Sequence, residues 1–201
     1  MDHLNAFILF ASVAAFTPGP NNLMIMASGV NFGIRASLPH YLGIGLGFLS
    51  MFYAMGFGLA IVLQAYPSIH KIIQIVGIAF LCYLAVKIAS SSPQGLDQKA
   101  STPLTFSQAA LFQWLNPKAL TMSTFAIATY SSTASSLEMQ ILLMGGIFFL
   151  ITLLAVAAWL FFGLALKRLL TKPVYQRIFN ICMAILLLAS VAPVLIPVLL
   201  T

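Results

Sequence analysis

Six apolar runs, each long enough to cross a lipid bilayer, account for most of this chain. A helix crosses the hydrocarbon core in about 20 residues. The runs are Leu4–Val30, Leu38–Gln64, Ile69–Ala89, Ser107–Tyr130, Met139–Leu166 and Val174–Leu200. A soluble domain needs far more charge on its surface than this sequence offers, with 6% charged and 61% hydrophobic residues. An outer-membrane barrel requires alternating strands of about ten residues. An open sheet cannot leave its edges unpaired in lipid. The expected fold is therefore all-α integral membrane, with six transmembrane helices in a single transmembrane domain over residues 1–201. The longest link, residues 90–106, carries Ser-Ser-Ser-Pro, Gly95 and Pro103 and reads as a surface loop between halves of about 1–92 and 104–201.

Charge placement orients the chain. Its acidic residues are Asp2, Asp97 and Glu138, against nine basic ones, for a net charge of +6. With an even helix number both termini share one side. The links after runs one, three and five, with their flanks, hold Arg35, Lys87, Lys99, Lys167, Arg168, Lys172 and Arg177. The other side holds Lys71 with Asp2 and Glu138. The positive-inside rule then predicts periplasmic N- and C-termini in a bacterial plasma (inner) membrane. The N-terminus starts Met-Asp-His, without a basic n-region or a cleavage site, so the first run reads as a retained helix. The excess positive charge fits cytoplasmic loops, so no nucleic-acid partner is expected. Cys82 and Cys182 fall in apolar runs and read as buried small hydrophobes. No phosphate-cradling glycine loop, metal-ligand cluster, Ser–His–Asp set or carboxylate pair stands out. No cofactor, no metal and no enzymatic activity are expected.

The chemistry lies where two runs are interrupted. The first contains Phe16-Thr17-Pro18-Gly19-Pro20-Asn21-Asn22, and the fourth Gln113-Trp114-Leu115-Asn116-Pro117-Lys118. Proline removes a backbone donor and clashes with the preceding turn. In lipid such a break is tolerated only where protein or a water-filled cavity satisfies the freed groups. Pro18 and Pro117 lie about half a chain apart, each in the first helix of a three-helix half. Two similar halves with an odd helix count insert with opposite orientation, as in the inverted repeats of many secondary transporters.

Asn116-Pro117 reads as an N-cap followed by the first position of a new half-helix, and Asn21 or Asn22 as the cap of another. The two half-helix N-termini would then meet inside the protein and favour a carboxylate. Carbonyls freed near Phe16 and Trp114 would accept from an ammonium group. Lys118 sharpens this reading, because no acidic residue lies inside any run to pair with it. The competing reading starts the fourth span at Asn116, with Lys118 snorkelling to the interface.

Arg35 and His40 are candidates for proton handling or gating. The more ordinary reading makes Arg35 a positive-inside anchor and His40, after Pro39, an interfacial residue. Gly43-Ile44-Gly45-Leu46-Gly47 carries small-residue spacing suited to close packing within the chain. Gln74, Gln108, Gln113, Thr121, Ser123 and Thr124 are further candidates for a polar path.

At these same residues the sequence resembles the LysE/RhtB family of amino-acid exporters. The matching residues are Thr17-Pro18-Gly19-Pro20-Asn21-Asn22, Gly33, Arg35, Gly43, Gly47, Gly77, Leu81, Tyr83-Leu84, Lys87 and Leu115-Asn116-Pro117-Lys118-Ala119. They span about the first two thirds of the chain. Ala36-Ser37 departs from the glycine that many relatives carry after the arginine. The Pro-Gly-Pro-Asn-Asn start and the Ala85-Val86-Lys87-Ile88 end of helix three are similar to the cysteine and O-acetylserine exporter branch. The resemblance implies export of small neutral amino acids or their derivatives, driven by an ion gradient or exchange. Thr17, Pro18, Gly19, Pro20, Asn21, Asn22, Asn116, Pro117 and Lys118 are the candidate substrate-binding residues. A small amino acid and the lipid bilayer are the expected partners, and the sequence leaves a homo-oligomer open. An inorganic-ion or metal-cation carrier and a non-transporting membrane subunit are the alternatives.

Overall fold

A computed structural model describes residues 4–91, 102–131 and 136–200, with only the backbone at His70 and at residues 191–200. Asp2, Asp97, Lys99 and most of the link at 90–106 lie outside these described residues. Within them all regular structure is helical. The order is α1 (Leu4–Phe16), α2 (Pro20–Ala54), a π-helical turn (Met55–Leu59), α3 (Ala60–Ala65), α4 (Pro67–Ala89), α5 (Phe106–Leu115), α6 (Pro117–Tyr130), α7 (Leu137–Leu169) and α8 (Pro173–Leu200).

Local chemistry sets the helix starts. Proline opens α2, α4, α6 and α8, where its missing N–H is one of the groups a first turn cannot pair anyway. Thr105 and Gln108 form a reciprocal capping box at α5. Ser136 caps α7, which has Glu138 in its first turn and Lys167 and Arg168 in its last, as the helix dipole favours.

The link between the first and second apolar runs narrows to a single residue. Helix α2 is helical up to Phe32 and again from Ile34, and only Gly33 departs, at φ 78° and ψ −178°. That backbone region is essentially restricted to glycine. The chain reverses there. Ser28 Oγ and Ser37 Oγ are hydrogen-bonded at 2.7 Å, although nine residues of straight helix would separate them by about 14 Å. Helix α2 is therefore a hairpin with arms at 20–32 and 34–54.

Small residues let the helices close on one another. A Cβ on Gly43 would come within 2.5 Å of Phe106 O, and one on Gly47 within 2.5 Å of Ala110 Cα, so the second arm of α2 lies directly on α5. Gly45 faces Leu153 of α7, and Gly163 of α7 meets the backbone of Met26. The glycine series thus packs helices within the chain, as its spacing suggested. An aromatic cluster centred on Phe148 of α7 joins α1 and α2, with Phe48 at 4.8 Å and Phe7 at 5.9 Å between ring centroids.

The surface is inverted relative to a water-soluble protein. Leu9, Val13, Ile61, Val86, Leu111, Leu154 and Phe161 face outward, while Asn22, His40, Gln113, Asn116, Gln140 and Asn180 are buried. Cys82 and Cys182 are exposed, on the same outer surface as these apolar side chains, which corrects the expectation of buried thiols. Four helical stretches, Pro20–Ala65, Pro67–Ala89, Leu137–Leu169 and Pro173–Ser190, are long and apolar enough to cross a bilayer. The turn at Gly33 divides the first of them. Runs one and four of the sequence are each made of two helices too short to cross alone. The chain is built as a multi-pass membrane protein.

Candidate functional site

The two interruptions meet. After α1 the chain bends at Thr17, whose N–H still bonds Val13 O, and leaves the helix through Pro18 to Gly19, where Gly19 is the N-cap of α2 with φ −175° and offers no side-chain cap. Asn21 and Asn22 are thus not caps, contrary to the sequence reading. They occupy the first turn behind Pro20, and their side chains do other work. Asn22 Nδ2 turns back to the carbonyls of Ala15 (2.8 Å) and Thr17 (2.9 Å), clamping the break. Asn21 reaches across to α5, donating to Gln113 Oε1 at 2.7 Å and accepting from Gln113 Nε2 at 3.1 Å.

The second interruption follows its expectation. Asn116 is extended (φ −81°, ψ 107°), caps α6 by accepting from Lys118 N at 3.1 Å, and is followed by Pro117 at the first helical position. The fourth run does not begin at Asn116, because α5 precedes it. Lys118 does not snorkel outward either. Its Nζ donates to Thr17 O at 2.7 Å and lies 3.5 Å from Pro18 O. A Cβ on Gly19 would stand 2.9 Å from Lys118 Cδ and 3.0 Å from Nζ. Glycine here leaves room for the lysine to lie across the break.

The cross-links are reciprocal. The first turn of α2 is tied to α5 through Asn21, and the first turn of α6 is tied to the end of α1 through Lys118. Each second half-helix therefore grips the first half-helix of the other pair. Between them lies a small cavity of about 40 Å³, lined by Gly19, Asn21, Asn22, Asn116, Lys118 and Thr152 among others. Lys118 and both asparagines of the first break share this space. Two half-helix N-termini face it, with the unpaired N–H groups of a first turn.

The expected ammonium acceptors are largely in use. Phe16 O accepts from Trp159 Nε1 at 3.2 Å, and Thr17 O from both Asn22 and Lys118. In this state the lysine itself takes the place that the sequence reading gave to a substrate ammonium. Trp159 and Thr152 of α7 went unnoticed in the sequence. An indole N–H in the middle of an apolar run is a signal, since it needs an acceptor when buried.

The remaining candidates separate. Arg35 is exposed at the tip of the α2 hairpin. His40 is buried, at 2% exposure, and lines a second cavity. Thr121 and Thr124 line a third, on α6 beyond Lys118. Ser123 is buried, and Gln108 serves the cap of α5.

The LysE type translocator family matches residues 12–196. The chain is 28% identical to the cysteine/O-acetylserine efflux protein of Escherichia coli strain K12 over 187 residues, covering 92% of this chain and 93% of that one. The proteins of the same description in Escherichia coli O139:H28 (over 188 residues) and Shigella flexneri serotype 5b (over 187) are also 28% identical, with the same coverage. No solved structure matches.

Proposed function

The chain belongs to the LysE type translocator family, and from that premise we propose that it is a secondary exporter of small neutral amino acids or their derivatives. Cysteine and O-acetylserine are the first substrates to test, because the named relatives are efflux proteins for them. The membrane is the bacterial inner membrane, with both termini periplasmic on the positive-inside argument. The six spans form two inverted three-helix halves. One comprises α1 with the first arm of α2, then the second arm, then α4. The other comprises α5 with α6, then α7, then α8. The reciprocal ties through Asn21 and Lys118 support this pairing.

One observation carries the proposal. The Lys118 ammonium is held by the backbone carbonyls of the opposite break, inside a cavity that also contains Asn21, Asn22 and Asn116. That contact is exchangeable. A substrate carboxylate draws Lys118 Nζ away from Thr17 O and is further stabilised by the half-helix N–H groups around Asn21, Asn22 and Pro117. The substrate ammonium then takes the vacated carbonyls of Thr17 and Pro18. A zwitterion replaces the internal contact with two of its own, so neither charge is left unpaired in the membrane. Opening alternates as one half rocks against the other about Pro18-Gly19-Pro20 and Asn116-Pro117, the usual motion of inverted-repeat carriers.

The test is counterflow in proteoliposomes loaded with cysteine or O-acetylserine. Wild-type protein accumulates labelled substrate. Lys118→Gln, which keeps a donor but loses the charge, slows initial uptake at least about tenfold. Wild-type rates in Lys118→Gln and Lys118→Ala overturn the role given to the lysine.

A further inference from the structure

The buried histidine belongs to none of the contacts above. His40 is 2% exposed, yet among the described residues neither Nδ1 nor Nε2 has a hydrogen-bond partner. A buried polar atom left unpaired costs about 1–3 kcal/mol, so two on one ring call for an explanation. The ring lines a small cavity of about 40 Å³ together with Ser28, Asn31, Lys87, Ser91 and Leu104. The walls are fixed by polar ties that leave the imidazole out. Ser28 and Ser37 bond each other at 2.7 Å. Asn31 and Asn180 form a reciprocal pair at 2.9 and 3.1 Å, and Asn180 donates to Ser91 O at 3.0 Å.

The position of this cavity is informative. Asn21, Met24, Ser28 and Asn31 follow the 3, 4, 3 spacing that puts them on one face of the first arm of α2. Asn21 lines the Lys118 cavity, and Met24, Ser28 and Asn31 line the His40 cavity. The two spaces are consecutive along one helical face. The second lies beside the Gly33 turn and the C-terminal end of α4, the side to which the positive-inside argument assigns the cytoplasm.

We propose that the His40 cavity is a second binding site for the carboxylate of a small zwitterionic amino acid, an antechamber that loads the Lys118 site from the cytoplasmic side. This rests on the exporter reading above. The chemistry selects the ligand. Lys87 supplies a cation, and among the described residues no carboxylate side chain lines the cavity to neutralise it. A carboxylate pairs with Lys87 Nζ and accepts from one imidazole nitrogen. The ammonium of the same ligand, or a side-chain donor, meets the other nitrogen or the oxygens of Ser28 and Asn31. A purely apolar ligand answers none of these groups.

The experiment uses the full chain in detergent, with His3→Gln and His70→Gln leaving His40 as the sole imidazole, labelled with 15N. L-cysteine (kept reduced) and O-acetyl-L-serine are the probes. The His40 ring resonances should shift saturably, and should still do so when Lys118→Gln disables the main site. Equilibrium dialysis should give two ligands per wild-type chain. His40→Leu, which preserves bulk but removes both nitrogens, should reduce this to one, while His40→Gln restores binding in part. Transport with one ligand per chain and unmoved His40 resonances overturns the antechamber and leaves the exporter standing. Absence of both binding and transport overturns the exporter reading itself. If His40→Leu does not fold, the resonances of the intact ring decide the question.

Discussion

Lys118 stands where the backbone of another helix has come apart, and its neighbour across the gap is a residue with no side chain. Gly19 has an extended backbone that any residue adopts, so its small size, and not its flexibility, is what the position requires. A methyl group there would meet Lys118 Cδ at 2.9 Å and Nζ at 3.0 Å, within the reach of a flexible chain to move aside. Gly19→Ala should therefore fold and express like wild type. It should nonetheless displace the ammonium from Thr17 O, because the lysine cannot lie across the break and around the methyl at once. Since a substrate must otherwise break that contact itself, the expected result is a fall of several-fold, up to about tenfold, in the KM for efflux with unchanged thermal stability. A wild-type KM in proteoliposomes would show that the lysine contact is incidental to substrate binding.

At the scale of elements, the interruptions were legible and the turn was not. Pro18, Pro20 and Asn116-Pro117 are chemical signals that act locally, so the breaks in runs one and four could be read from composition alone. The hairpin at Gly33 has no such signal beyond a lone glycine, and it reads as a link of several residues because Asn31 and Arg35 are polar. The facing of His40 was illegible for a different reason. A helix that is apolar around most of its circumference has no periodic stripe to say which side is inside, and an isolated histidine after a proline looks like an interface residue. The Asn21–Gln113 pair joins residues 92 positions apart, which only the tertiary arrangement brings together. The turn itself makes a sharp prediction. At φ 78° and ψ −178° a side chain at position 33 is strained, although nothing lies within 4 Å of its Cβ. Gly33→Ala should cost about 1–3 kcal/mol through the backbone alone, seen as a lower melting temperature in detergent. The KM of the surviving folded protein should be unchanged, since the residue lines neither the Lys118 nor the His40 cavity. A melting temperature equal to wild type would mean that the hairpin turns in some other way.

On the scale of the whole molecule, three cavities are lined in turn by the two half-helices that begin at the breaks. The first arm of α2 lines the His40 cavity with Ser28 and the Lys118 cavity with Asn21. Helix α6 lines the Lys118 cavity with Lys118 and a third cavity, of about 360 Å³, with Thr121 and Thr124. On the inverted-repeat reading proposed above, the two half-helices begin at the same central point and run toward opposite sides of the protein. An alternating-access carrier needs this arrangement, with a central site that communicates with one side at a time. Sidedness can be measured with membrane-impermeant thiol reagents once Cys82 and Cys182, both on the outer apolar surface, are replaced by alanine. Thr124→Cys should then react in intact cells, and Ser28→Cys only in inverted vesicles. Saturating substrate should change both reactivities in opposite directions, because occupancy of the Lys118 site shifts the balance between the two openings. Labelling of both positions from the same side would place the two half-helices in parallel with respect to access, and would remove the basis for two inverted halves moving about the lysine.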